Sequence, residues 1–99
     1  MSGYRLSPLA LDDLDAIDAY VSAHSPRAAK TLLNTLFKAF GRLAEQPGLG
    51  HTRTDLTALP VRFLTVAGRY TIVYREMPDR LDIVRIIGGG RDVSAILEG

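Results

Sequence analysis

Residues 60–92 read Pro60-Val61-Arg62-Phe63-Leu64-Thr65-Val66-Ala67-Gly68-Arg69-Tyr70-Thr71-Ile72-Val73-Tyr74-Arg75-Glu76-Met77-Pro78-Asp79-Arg80-Leu81-Asp82-Ile83-Val84-Arg85-Ile86-Ile87-Gly88-Gly89-Gly90-Arg91-Asp92. Three runs rich in Val, Ile, Thr, Phe and Tyr are punctuated by Ala67-Gly68 and by Met77-Pro78-Asp79-Arg80. β-Branched and aromatic residues suit a pleated surface, and Gly and Pro-Asp suit tight turns, so the stretch predicts a three-stranded antiparallel meander. The connections are too short for the crossovers that parallel neighbours need. Such a sheet lacks a cover, which the first half of the chain must supply.

Working outward toward the N-terminus, Leu49–Leu59 reads as a loop in which Gly50 and Arg53 stand out. Before it, Ser25-Pro26 and Gln46-Pro47-Gly48 bracket a helix: Ser caps, Pro opens, and Pro-Gly stops it. Ala29, Leu33, Leu36, Phe40 and Leu43 form its apolar stripe, widened by Leu32 and Phe37. Ser7-Pro8 begins a preceding helix in the same way, with Ala10, Leu14, Ile17 and Val21 as its stripe. Asp12 and Asp13 sit near the positive end of its dipole. The tight connection makes the two helices an antiparallel hairpin. Gly3–Ser7 alternates Tyr4 and Leu6 against Arg5, which predicts an edge strand or a strand added to the later sheet.

Both faces of the meander are substantially apolar. Tyr70, Ile72 and Tyr74 share one face, and Thr71, Val73 and Arg75 share the other. A hairpin of helices covers one face only, so the second face awaits a cover: the C-terminal tail, a second protomer or a partner chain. The expectation carried forward is that it is kept for a foreign polypeptide. Gly88-Gly89-Gly90 lets the backbone turn sharply before Val93–Leu97, a short tail helix for which Asp92 is the expected N-cap.

Ninety-nine residues make one domain, expected to span 1–99 and to bury roughly 65% of the unfolded surface. With no cysteine there is no disulfide framework and no Cys-based zinc site. No apolar run approaches the ~20 residues of a membrane span, and the N-terminus lacks a signal-peptide core, so the expected location is the cytoplasm. The net charge of +1 conceals an asymmetry. Residues 1–25 hold four Asp against Arg5, and residues 26–99 hold eleven Lys and Arg against seven Asp and Glu.

Catalytic patterns are missing. His24 and His51 are the only histidines, and neither lies in a metal-binding pair. No Gly-x-Ser-x-Gly elbow, Walker spacing or Gly-x-Gly-x-x-Gly occurs, so no metal or cofactor is expected. The acidic residues of the first helix read as a solvated face rather than a carboxylate dyad. What remains is a small domain with Arg and Tyr on a sheet. That chemistry serves an RNA-cleaving surface, where Arg stabilises phosphate charge, and equally a protein-docking surface, where Arg and Tyr are the usual anchors.

The order of elements and a set of residues resemble the ParE/RelE superfamily of bacterial toxins. The residues are Leu6-Ser7-Pro8 with Asp13-Leu14, Ser25-Pro26 with Ala28-Ala29, Leu43-Ala44 with Pro47-Gly48, Gly50-His51-Thr52-Arg53, Arg69 to Arg75, and Ile83 to Ile87 with Gly89-Gly90-Arg91-Asp92. Together they are similar to the ParE branch, which reads Gly-Arg-Tyr-x-Ile-x-Tyr-Arg and then Ile-x-Arg-Val-x-His-Gly-Ala-Arg-Asp. The resemblance implies an α+β fold: an N-terminal strand, a two-helix antiparallel hairpin packed on a three- to four-stranded antiparallel sheet, and a short C-terminal tail helix. It implies the toxin of a type II toxin–antitoxin pair, of the plasmid-stabilisation kind, which inhibits DNA gyrase by binding and causes growth arrest. It also implies a ParD-like antitoxin with a ribbon-helix-helix DNA-binding end, and no direct DNA binding by the toxin alone.

Carried over position by position, Arg53, Arg62, Arg69, Arg85, Arg91 and Asp92 are the expected target or antitoxin contacts. For each, the structural alternative is an internal salt bridge or a loop brace. The RelE branch cleaves mRNA on the ribosome, and its working positions fall here on Arg62, Leu64, Thr71, Arg91 and Leu97. Only Arg62 and Arg91 have the chemistry, since Thr71 stabilises no phosphate charge and Leu97 moves no proton. A ribonuclease is therefore the alternative, beside a non-toxic homologue that only binds antitoxin. The last is motivated by Gly88, which stands where ParE-like chains often carry His.

Overall fold

A computed structural model describes residues 3–89, 91 and 93–98. The elements run β1 (Tyr4–Leu6), α1 (Pro8–Ser22), α2 (Pro26–Glu45), a 3₁₀ turn (Pro47–Leu49), β2 (Arg62–Val66), β3 (Tyr70–Glu76), β4 (Leu81–Ile87) and α3 (Val93–Glu98). Both Ser-Pro starts behave as the sequence predicts. Ser7 Oγ accepts from Ala10 N–H at 3.0 Å, and Ser25 Oγ accepts from Ala28 N–H at 3.1 Å. Each bond satisfies a donor that a helix start leaves free.

The sheet order is β1-β4-β3-β2. The meander is antiparallel, but β1 lies parallel to β4, with Arg5 opposite Asp82, so the sheet is mixed. The long excursion through the helical hairpin supplies the crossover that a parallel neighbour requires. At the β2–β3 turn both Ala67 (φ 55°) and Gly68 (φ 66°) are left-handed, the geometry whose twist matches a hairpin. In β4 a bulge makes Val84 the extra residue, since Ile83 faces Tyr74 while Arg85 faces Val73.

One core lies between the helices and the sheet. Ala10 and Leu14 of α1, Leu36, Phe40 and Leu43 of α2, and Ile72, Tyr74, Leu81 and Ile83 of the sheet form it. The predicted stripes meet here, except that Phe37 is exposed and turns its ring edge toward Phe40, while Ala39 and Ala44 are buried instead. Small residues at those two places let the helix lie close to its neighbours.

The second sheet face corrects the expectation that it is left bare for a partner. Val61, Phe63, Val73 and Ile87 form a second buried cluster, against which Leu56 of the loop and Val93, Ile96 and Leu97 of α3 pack. The chain's own loop and tail cover the apolar half of this face, because burying those side chains internally already gains the hydrophobic free energy that a partner would supply. Asp92, the expected cap of α3, lies outside the described residues.

Tyr74 ties the loop to the core. Its hydroxyl accepts from Gly50 N–H at 2.8 Å and donates to the Pro47 carbonyl at 2.6 Å. Burial raises its pKa, opposed in part by the Gly50 hydrogen bond. The folded state thus holds this proton more tightly than the unfolded state, so stability is lost as pH rises beyond the ordinary tyrosine value near ~10. Tyr74→Phe should show a shallower fall in urea midpoint over about pH 8–11 than the wild type.

Candidate functional site

The five sequence-predicted contacts that lie among the described residues do not form one cluster. Arg53 is exposed on the loop and binds Asp55 through two hydrogen bonds, 2.9 Å from Nε and 2.6 Å from Nη2. That pairing raises the arginine pKa and lowers that of the carboxyl, first through the hydrogen bond itself. Arg62, on edge strand β2, donates from Nη1 to the Gly50 carbonyl at 3.2 Å and so braces the loop. Arg85 is turned inward. Its Nε and Nη2 lie 2.8 and 2.9 Å from the two oxygens of Asp13, and Ile86 N–H donates to the same carboxylate at 2.9 Å. Hydrogen bonding to Asp13 holds the Arg85 pKa above its usual value. The brace is the geometry that Arg53, Arg62 and Arg85 adopt.

Arg69 and Arg91 do come together. They line a cleft of about 350 Å³ between α1 and the open end of the β3–β4 pair, with Tyr20, Tyr70 and Ile17. Arg69 leaves the β2–β3 turn, where its N–H donates to the Val66 carbonyl at 3.2 Å, and its guanidinium carbon lies 6.0 Å from the centre of the Tyr70 ring. That is the outer range of a cation–π contact. Gly88 and Gly89 form the opposite wall. A Cβ on Gly89 would come within 3.1 Å of the Arg69 carbonyl oxygen, so the two chain segments approach closely there. A Cβ on Gly88 meets only Tyr70 ring carbon at 3.7 Å, an ordinary contact.

The electrostatics are one-sided. Asp13 lines the cleft, but its oxygens are held by Arg85 and Ile86. Neither Arg69 nor Arg91 has a salt-bridge partner among the described residues. Tyr20 is 63% exposed, which leaves a large aromatic ring beside two guanidiniums that have no ion-pair partner among the described residues. Its ring also lies 5.4 Å from that of His24, whose Nδ1 is 3.1 Å from the Tyr20 carbonyl oxygen. Sequence reasoning missed Tyr20; its place on α1, three residues beyond Ile17 of the apolar stripe, was the available signal.

The positions that correspond to the RelE working set are dispersed. Leu64 packs on the helix-side core, whereas Leu97 packs on the second cluster across the sheet. Among the described residues no group of three or more His, Cys, Asp or Glu is placed to hold a metal ion, and no helix is long and apolar enough to cross a membrane.

A family model described as the ParE toxin of the type II toxin-antitoxin system, parDE, matches residues 4–93. A solved structure from P. aeruginosa, described as a chromosomal ParDE TA system, matches with a TM-score of 0.72 at 26% identity, over 90% of this chain and 97% of that one. No curated protein sequence matches the chain.

Proposed function

The chain belongs to the ParE toxin family of type II toxin–antitoxin systems, and from that membership we propose that it inhibits DNA gyrase by binding, is neutralised by a ParD-like antitoxin, and acts in the cytoplasm without breaking bonds itself. The observation that carries the reading is the cleft with Arg69, Arg91, Tyr20 and Tyr70. Arg and Tyr anchor interfaces because each combines a large contact area with directional hydrogen bonding. Moving a proton needs a group that titrates near the working pH. Among the described residues no histidine lines the cleft, and the carboxylate that does, Asp13, is already held by Arg85 and Ile86 N–H. Purified protein should block gyrase supercoiling and trap cleavage complexes, and gyrase left fully active at excess protein would refute this.

Within that reading, Arg69→Ala and Arg91→Ala should each weaken gyrase inhibition by about tenfold or more, as anchor truncations do. Their thermal stability should stay within about 0.5 kcal/mol of wild type, as for exposed side chains that hold no ion pair among the described residues. Dose–response curves in a supercoiling assay, paired with thermal melts, separate the two effects. A large loss of stability would show a brace instead.

Gly88 favours a second reading, that of an attenuated or solely antitoxin-binding homologue. The family pattern places His there, and a Cβ at this position would make only an ordinary contact with the Tyr70 ring. On that reading, Gly88→His folds normally and raises gyrase inhibition several-fold. Equal potency of the two forms in the same assay would count against attenuation at this position.

A further inference from the structure

On the sheet face turned away from the helices, opposite charges are out of balance. β1 places Arg5 opposite Asp82, and β3 places Arg75 opposite the same residue. Strand alternation puts the three side chains in a row on one face. Arg80, two residues before Asp82, joins them: its Nε is 2.8 Å from Asp82 Oδ1. Its Nη1 is 3.6 Å from Asp79 Oδ1 at the exposed turn. Arg75 stands 3.9 Å from Asp82, beyond hydrogen-bond reach, and Arg5 has no ion-pair partner among the described residues. Asp82 is thus hydrogen-bonded to Arg80 and only shared at longer range with Arg75, so the two guanidiniums on the strands that flank β4 have, among the described residues, no carboxylate hydrogen-bonded to them.

These groups line a cleft of about 380 Å³ whose other wall is apolar, formed by Leu59, Pro60 and Val61. Leu59 is 49% exposed. It lies at the boundary where the self-covered apolar half of the face gives way to this charged half. A free inorganic anion would satisfy the arginines and leave Leu59 wet. A polypeptide carrying both a carboxylate and an apolar side chain satisfies both walls.

We propose that this cleft binds an extended segment of the antitoxin in which an Asp or Glu stands two residues from an apolar side chain. That spacing puts both side chains on one side of an extended chain, the carboxylate to Arg5 and Arg75 and the apolar group to Leu59. The inference rests on the toxin–antitoxin reading and not on gyrase as target.

The test follows the arginine Nε–H resonances of the folded protein by ¹⁵N NMR. The probe is a capped hexapeptide, Ser-Glu-Thr-Leu-Thr-Ser, compared with its Glu→Gln form and with inorganic phosphate. The Glu peptide should shift the Arg5 and Arg75 signals, and the Gln peptide should not. The double variant Arg5→Gln/Arg75→Gln should bind the full antitoxin about tenfold more weakly or worse, with its thermal midpoint and its gyrase inhibition unchanged. Silence at Arg5 and Arg75, equal binding of the Gln peptide, or phosphate shifting the signals as much as the Glu peptide would overturn the proposal. Peptide binding by a protein that leaves gyrase untouched would sink the gyrase reading alone.

Discussion

Gly50→Ala should leave the domain largely unfolded, or cost about 3 kcal/mol or more of a stability that is typically ~5–15 kcal/mol. The reason is space, not backbone conformation, because Gly50 has an ordinary extended geometry (φ −84°, ψ 176°). A Cβ there would stand 2.5 Å from Tyr74 Oη, 2.7 Å from the Phe63 carbonyl oxygen and 2.8 Å from Tyr74 Cε1. None of these neighbours can easily yield. Tyr74 is fully buried in the core, and the Phe63 carbonyl accepts from His51 N–H at 2.9 Å, which pins the loop to edge strand β2. Tyr74→Phe removes only the hydroxyl and its two hydrogen bonds, and should cost about 1–2 kcal/mol. In the double variant the contact at 2.5 Å is gone but that with the Phe63 carbonyl persists, so relief should be partial. Urea denaturation of the three variants measures all of this.

Asp13→Ala should be the most damaging change of a charged residue, at about 2–4 kcal/mol. The carboxylate takes three hydrogen bonds, two from Arg85 and one from Ile86 N–H. It sits where β4 has run past its pairing with β1, which ends at Ile83. Beyond that point α1 and its cap complete the strand edge. Ser7 Oγ donates to the Val84 carbonyl at 2.7 Å, and Asp13 accepts from Ile86. The alanine variant strands a guanidinium that is only 20% exposed and a strand N–H at once. Arg85→Met, which removes the charge and keeps an apolar stem, should cost less than Asp13→Ala. Thermal or urea unfolding of the two variants decides it, and near-equality would mean that the Ile86 bond adds little.

How much of this was legible in the chain depends on the range of the interaction. Ser7-Pro8 and Ser25-Pro26 mark the helix starts because capping is settled within three residues, and both caps form. The β-branched runs and their turns gave the meander for the same local reason. The parallel placement of β1 is set by how the helical hairpin returns the chain, which three residues cannot signal. Asp13 looked like one of a solvated row, although it lies three residues after Ala10 and four before Ile17, at the edge of the buried stripe. Its partner is 72 residues away, beyond any periodicity. The self-covered second face was hidden likewise, since Leu56 and Ile96 reach the cluster around Val73 only after the loop and tail fold back. Of the candidate site, the residue types were readable. That Arg69 and Arg91 would share a cleft, while Arg85 is consumed by Asp13, was decided by the turn at Ala67-Gly68 and by the lie of α1.

On the proposed function, the protein works by occupying its target through the Arg69 and Arg91 cleft. Titrating it against a fixed amount of gyrase tests this most directly, because a binder and a catalyst differ in stoichiometry. Loss of supercoiling should scale with the amount of toxin bound, saturate when gyrase is saturated, and be reversed by adding antitoxin. Loss that grows with time at toxin far below the amount of gyrase, or supercoiling left intact while ribosome-bound mRNA is cleaved, would contradict it.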